Sequence, residues 1–177
     1  MTTMSSTIER PNAVTFRGNG VTLLGPELRP GDVAPAFTLP NTSLQPVSLS
    51  AYRGRVVLLT SVPSLDTPVC DLETRRFNEE AQKLGSDTAV LTVSMDLPFA
   101  QARWCGAAGV DRVTTLSDYK DHAFGHAYGV YIKELGLLAR AVFVVDREGV
   151  LRYVEYVSEV TNQPNYEAAL AAVRALG

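Results

Sequence analysis

The chain has 177 residues, is 46% hydrophobic and 20% charged, and carries a net charge of -3. That length fits roughly one domain with a sizeable core. The acidic balance argues against nucleic acid as a partner, and no apolar run approaches the roughly 18 residues of a membrane span. Met1 to Thr15 is polar and lacks the apolar centre of a signal peptide, so a cytoplasmic location is expected. In that compartment cysteines are more often catalytic or redox-sensing than structural. Only two are present, Cys70 and Cys105, far from the Cys-x-x-Cys spacing of dithiol reductases.

Taken in order, residues 1–13 read as a flexible tail and 14–177 as one domain. Val14-Thr15-Phe16 and Val21-Thr22-Leu23-Leu24 flank a Gly/Asn turn and predict a β-hairpin. Short strands are expected at Ala36–Leu39 and Val47–Leu49. Val56–Ser61 is nearly all apolar, as in a strand covered on both faces. A helix-type pattern from Thr67 to Leu84, ended by Gly85, places Val69, Leu72, Phe77, Ala81 and Leu84 on one side. Cys70 then falls at the edge of that stripe, partly buried, and Glu73, Arg75, Arg76, Glu79 and Glu80 read as a solvated face.

A strand at Ala89–Val93 completes a βαβ unit with parallel strands. Phe99 to about Ala107 is a second helix carrying Trp104 and Cys105, weakened by Gly106 and Gly109. Val113–Leu116 is a strand, Asp121–Tyr128 a short helix, Ala139–Asp146 and Val150–Val157 a hairpin. Pro164-Asn165 caps a last helix. The order of elements predicts an α/β domain: a mixed central sheet, helices on both faces and an extra N-terminal β-hairpin.

The stretch from Pro63 to Cys70 joins the apolar strand to the first long helix. Thr67 is a good N-cap and Pro68 suits the first helical position, where its missing N–H costs nothing. Cys70 lies in the first turn, where unpaired amides favour an anion and hence a thiolate. For Cys70 the alternative is a small buried hydrophobe, and for Cys105 a packed thiol beside Trp104. Arg140 at a strand opening reads by itself as a surface charge. His122 and His126 have metal-pair spacing, but no further ligand is spaced to complete a site, so they read as solvated or structural.

Pro63-x-x-x-Thr67-x-x-Cys70 resembles the active-site motif of peroxiredoxins, which have a thioredoxin-like fold. Ser64-x-Asp66-Thr67-x-x-Cys70, followed by Asp96-Leu97-Pro98-Phe99-Ala100-Gln101-x-Arg103-x-Cys105, is similar to the thiol peroxidase branch, atypical two-cysteine peroxiredoxins. Ala139-Arg140-Ala141-Val142 matches the position of that family's active-site arginine. The match runs from about Val14 to the C-terminus; Trp104 stands where Phe is more usual, and Pro68 fills a variable position.

The resemblance implies that Cys70 is the peroxidatic cysteine and Cys105 the resolving one in the same chain. It implies that Thr67 and Arg140 support Cys70 and that Pro63 shields it. Thioredoxin would be the reductant, the assembly a homodimer, and no metal or organic cofactor would be needed. Two other classes compete. A non-enzymatic redox sensor would form the same disulfide but needs no stabilisation of a leaving oxygen, which Thr67 and Arg140 would provide. A thioredoxin-like disulfide reductase is disfavoured by the absence of Cys-x-x-Cys.

Overall fold

The computed structural model describes residues 8–85 and 87–177. Its centre is a five-stranded sheet in the order β11-β10-β5-β6-β7, formed by β5 (Val56–Ser61), β6 (Thr88–Ser94), β7 (Val113–Ser117), β10 (Ala141–Val145) and β11 (Leu151–Tyr156). β5, β6 and β7 run parallel; β10 runs antiparallel to β5 and to β11. Every residue of β5 is buried because successive side chains enter opposite layers. Val57 and Leu59 join the larger cluster with Phe124, Tyr128 and Phe143. Val56 and Leu58 join the other, with Phe77 and Leu170.

Two helices link the parallel strands: α1 (Pro68–Ala81) between β5 and β6, and α2 (Pro98–Ala108) between β6 and β7. α4 (Tyr166–Leu176) packs against β5, β10 and β11. Its N-cap Asn165 accepts a hydrogen bond from the Ala168 amide at 3.0 Å. The larger cluster is covered by α3 (Ala123–Ala127) and by the N-terminal strands β1 (Glu9–Phe16) and β2 (Asn19–Leu24). β1 and β2 are joined by Arg17-Gly18, both at positive φ (51° and 83°), the type I′ geometry that matches strand twist. β3 (Thr38–Pro40) and β4 (Pro46–Ser48) form a separate small hairpin.

Several boundaries differ from expectation. β1 begins at Glu9, inside the stretch read as tail, and its register shifts between Arg10 and Val14, where Asn12 takes φ 52°. Residues 1–7 of that stretch lie outside the described residues. α1 stops at Ala81 rather than Leu84, because Lys83 and Leu84 bond back three residues, a tighter turn, before Gly85. α3 starts at Ala123 because His122 adopts φ 59°, which a helix cannot include. The two-residue strands β8 (Tyr131–Ile132) and β9 (Leu137–Leu138) extend the β1–β2 hairpin and were too short to leave a period in the sequence.

Candidate active site

Topology brings three segments to one end of the central sheet. β5 and β6 are parallel, so the loops after them, leading into α1 and α2, open at the same edge. β10 runs the other way, with Ala141 opposite Ser61, so the residue before it, Arg140, arrives at that edge too.

Asp96, two residues past β6, binds the first two loops together. Its carboxylate accepts from Ser64 Oγ at 2.6 Å, the Leu65 amide at 2.8 Å and Ser94 Oγ at 2.8 Å. Pro63 is buried in the loop so held. Thr67 occupies the N-cap position with extended backbone, but its hydroxyl caps no amide. It donates instead to the Ser64 carbonyl at 3.0 Å. The N-cap reading of Thr67 is therefore right in place and wrong in bonding: the turn at Ser64 competes for the same hydroxyl.

Cys70 is a free thiol, 0% exposed rather than partly buried. The reason is the phase of α1. Its inward face is Cys70, Glu73, Thr74, Phe77, Asn78 and Ala81, while Leu72 is 49% exposed. Placing every apolar residue inward misses this phase, because a charged residue takes part in the buried face.

That residue is Glu73, which is not on a solvated face. It is buried and paired with Arg140, Oε2 to Nη1 at 2.6 Å. Arg140 is 2% exposed, contrary to the surface reading. Its Nε donates to the Val160 carbonyl at 2.8 Å and its Nη2 to Cys70 Sγ at 3.1 Å. Burial works against the Arg140 charge, but Glu73 and Cys70 outweigh it and hold the guanidinium firmly cationic. Burial pushes the Glu73 carboxyl up to about 7 against the pull of Arg140, and its second oxygen has no hydrogen-bond partner among the described residues. The only sign of Glu73 in the residue pattern is its place one turn after Cys70.

Cys105 is not part of this cluster. Trp104 packs against Val62, Leu65 and Cys70, and its Nε1 donates to Asp71 Oδ1 at 2.9 Å. One residue on, Cys105 Sγ lies 3.7 Å from Thr115 Oγ1 on β7, half-buried in a groove lined by Asn41, Ala102, Val110 and Thr114. Burial pushes the Cys105 thiol up, opposed by the Thr115 contact. Arg75, which holds Asp71 through Nε, also donates to the Ala108 carbonyl at 3.2 Å and so ties α1 to α2. His122 and His126 both lie against Tyr131, at ring distances of 5.4 and 4.9 Å, a packing role. Among the described residues no group of three His, Cys, Asp or Glu side chains could hold a metal ion, and no helix is long and apolar enough to cross a membrane.

A family model described as Redoxin matches residues 29–170. The thiol peroxidase of Bacillus subtilis is 59% identical over 163 residues, covering 92% of this chain and 97% of that one. The chain belongs to the redoxin family, as an oxidoreductase of the peroxiredoxin type in the thiol peroxidase branch. The thiol peroxidase of Halalkalibacterium halodurans is 56% identical over 92% of this chain and 98% of its own. A crystal structure of a peroxiredoxin-like protein from Aquifex aeolicus superposes with a TM-score of 0.88 at 41% identity, covering 96% of this chain and 99% of that one. The expected architecture, a thioredoxin-like α/β fold with an added N-terminal hairpin, is the one observed.

Proposed function

We propose that this chain reduces hydrogen peroxide and organic hydroperoxides, with Cys70 as nucleophile, Cys105 as the same-chain resolving thiol and thioredoxin as the reductant. The observation that carries the reading is the Arg140 guanidinium, oriented by Glu73 and Val160 and donating to Cys70 Sγ at 3.1 Å.

The Cys70 thiolate attacks one peroxide oxygen. The S–O bond forms as the O–O bond breaks, and the alkoxide or hydroxide departs with the electron pair and takes a proton. Sulfur is oxidised by two electrons to a sulfenic acid. An ordinary cysteine is about 3% thiolate at pH 7, so complete ionisation accelerates attack at most roughly 30-fold, about 2 kcal/mol of barrier. The larger share must come from holding the peroxide in line and stabilising the departing oxygen. Arg140 is built for this. Its contacts with Val160, Glu73 and Cys70 engage three of a guanidinium's five N–H donors and leave one on each terminal nitrogen for peroxide oxygens. The Thr67 hydroxyl, which donates to Ser64, keeps its lone pairs to accept from the peroxide O–H. Pro63 shields the sulfur from bulk water.

Cys105 then attacks the sulfenic sulfur, expelling water and forming the Cys70–Cys105 disulfide, which the thioredoxin dithiol reduces. Thioredoxin and a homodimeric assembly follow the family pattern. The buried Arg140–Glu73 pair favours an enzyme over a passive sensor, because a sensor needs no charged donor at the reacting sulfur. The test is steady-state peroxide consumption with thioredoxin, thioredoxin reductase and NADPH. Sustained turnover is expected; a single equivalent consumed with no recycling would make the chain a sensor.

A further inference from the structure

Arg140 is aimed by three contacts, and one of them, the Val160 carbonyl, comes from a segment outside the motif. Val160 is fully buried, and its own amide donates to the Thr15 carbonyl of β1 at 2.8 Å, while the Thr15 amide donates to the Ser158 carbonyl at 2.8 Å. Between those two bonds sits Glu159. Its carboxylate accepts from Thr15 Oγ1 at 2.9 Å, the Gly18 amide at 2.8 Å and the Arg17 amide at 3.2 Å, all in the hairpin. It also accepts from the Thr161 amide at 2.8 Å and the Thr161 hydroxyl at 2.6 Å. These bonds hold the carboxyl well below its usual range, at about 2, so it is ionised at any working pH. One side chain thus fastens the β1–β2 turn to the residue whose carbonyl orients Arg140.

We infer that Glu159 is a positioning residue for Arg140, acting through the Val160 carbonyl, and that the N-terminal hairpin is part of the apparatus that aims the guanidinium at Cys70. This rests on the role proposed above for Arg140. An amide at position 159 has one acceptor oxygen and no charge, so it cannot keep all five hydrogen bonds. The two backbone bonds of Thr15 remain, but the 17–18 turn is released, which loosens the segment carrying the Val160 carbonyl and with it the angle of the guanidinium. Misplacing a catalytic group by a fraction of its working distance costs rate steeply.

The test is a double-mutant cycle on single-turnover oxidation of Cys70 by hydrogen peroxide, read by stopped-flow Trp104 fluorescence. Glu159→Gln should slow oxidation by roughly tenfold to a hundredfold in the otherwise native chain. In an Arg140→Ala background the same change should alter the rate by less than about twofold, since the group it aims is gone. If Glu159→Gln fails to fold, Thr15→Val, which removes one of the five bonds, should give roughly a threefold loss with the same dependence on Arg140. A native rate for Glu159→Gln (or for Thr15→Val where it is used instead), or equal losses in both backgrounds, overturns the inference while leaving Arg140's role standing. An Arg140→Ala rate equal to the native one overturns that role and this inference with it.

Discussion

Glu73 and Arg140, 67 residues apart in sequence, meet as a buried ion pair at 2.6 Å, joining the second turn of α1 to the residue before β10. Removing one member of such a pair leaves the other charge in a low-dielectric interior, which costs more than the pair contributes. Glu73→Ala should therefore lower unfolding stability by about 3–5 kcal/mol, and Glu73→Gln, which keeps an acceptor, by less. Urea titration with an unchanged midpoint for Glu73→Ala would show that Arg140 is not left as an uncompensated buried charge.

Asp96 predicts a different balance. Its carboxylate holds Ser64, Leu65 and Ser94 at once, so it sets the shape of the loop before Cys70 more than the stability of the core. Asp96→Ala leaves those donors to water and should cost about 1–3 kcal/mol. It should also slow Cys70 oxidation more than a comparable loss of stability elsewhere does. Stopped-flow oxidation at the native rate would remove Asp96 from the account.

The pH dependence of stability has a specific source in Asp118. Burial raises its carboxyl to about 6, although it accepts from the Phe124 and Gly125 amides. With the folded value above the ordinary 3.8, its contribution is fully present below about 3.8 and is lost as pH rises through about 6. Native stability relative to Asp118→Asn should therefore fall between pH 4 and pH 7, by on the order of 2 kcal/mol. A difference that is flat or grows over that range, measured by denaturant unfolding, contradicts this.

Much of the site could be read from residue types and spacing. The cysteine after Thr67-Pro68 sits in the first turn of α1, and the hairpin around Arg17-Gly18 is where Gly and Asn placed it. Glu73 was not legible, because a glutamate in an amphipathic helix reads as solvated unless its partner is known. That partner, Arg140, is brought near only by the antiparallel pairing of β10 with β5. The same long-range dependence hid the burial of Cys70, whereas the Thr67 hydroxyl is diverted by a local turn, three residues back at Ser64, that competes with capping.

The surroundings of Trp104 and Cys105 set what the proposed Cys70–Cys105 disulfide would cost. Trp104 faces the Cys70 cluster while Cys105 turns toward Thr115, so forming the proposed bond should open one or both helices, and α2 is held to α1 by the Trp104–Asp71 and Arg75–Ala108 bonds that would then be lost. Closing a loop of this size would contribute roughly 3–4 kcal/mol in the chain-entropy model, and the lost helix and packing oppose it. The oxidised protein should melt no higher than the reduced one, with faster amide exchange over 98–108. A rise of many degrees on oxidation would mean that the bond forms without opening α2.

Everything proposed for the site depends on Cys70 being the group that peroxide oxidises. In Cys105→Ser protein the sulfenic acid has no resolving thiol, so one equivalent of hydrogen peroxide followed by dimedone and peptide mass spectrometry reads it directly. One dimedone adduct per chain is expected on the Cys70 peptide, and in the unsubstituted protein a linked 70–105 peptide within one chain instead. An unmodified Cys70 peptide, or sustained peroxide turnover by Cys70→Ser, would contradict it.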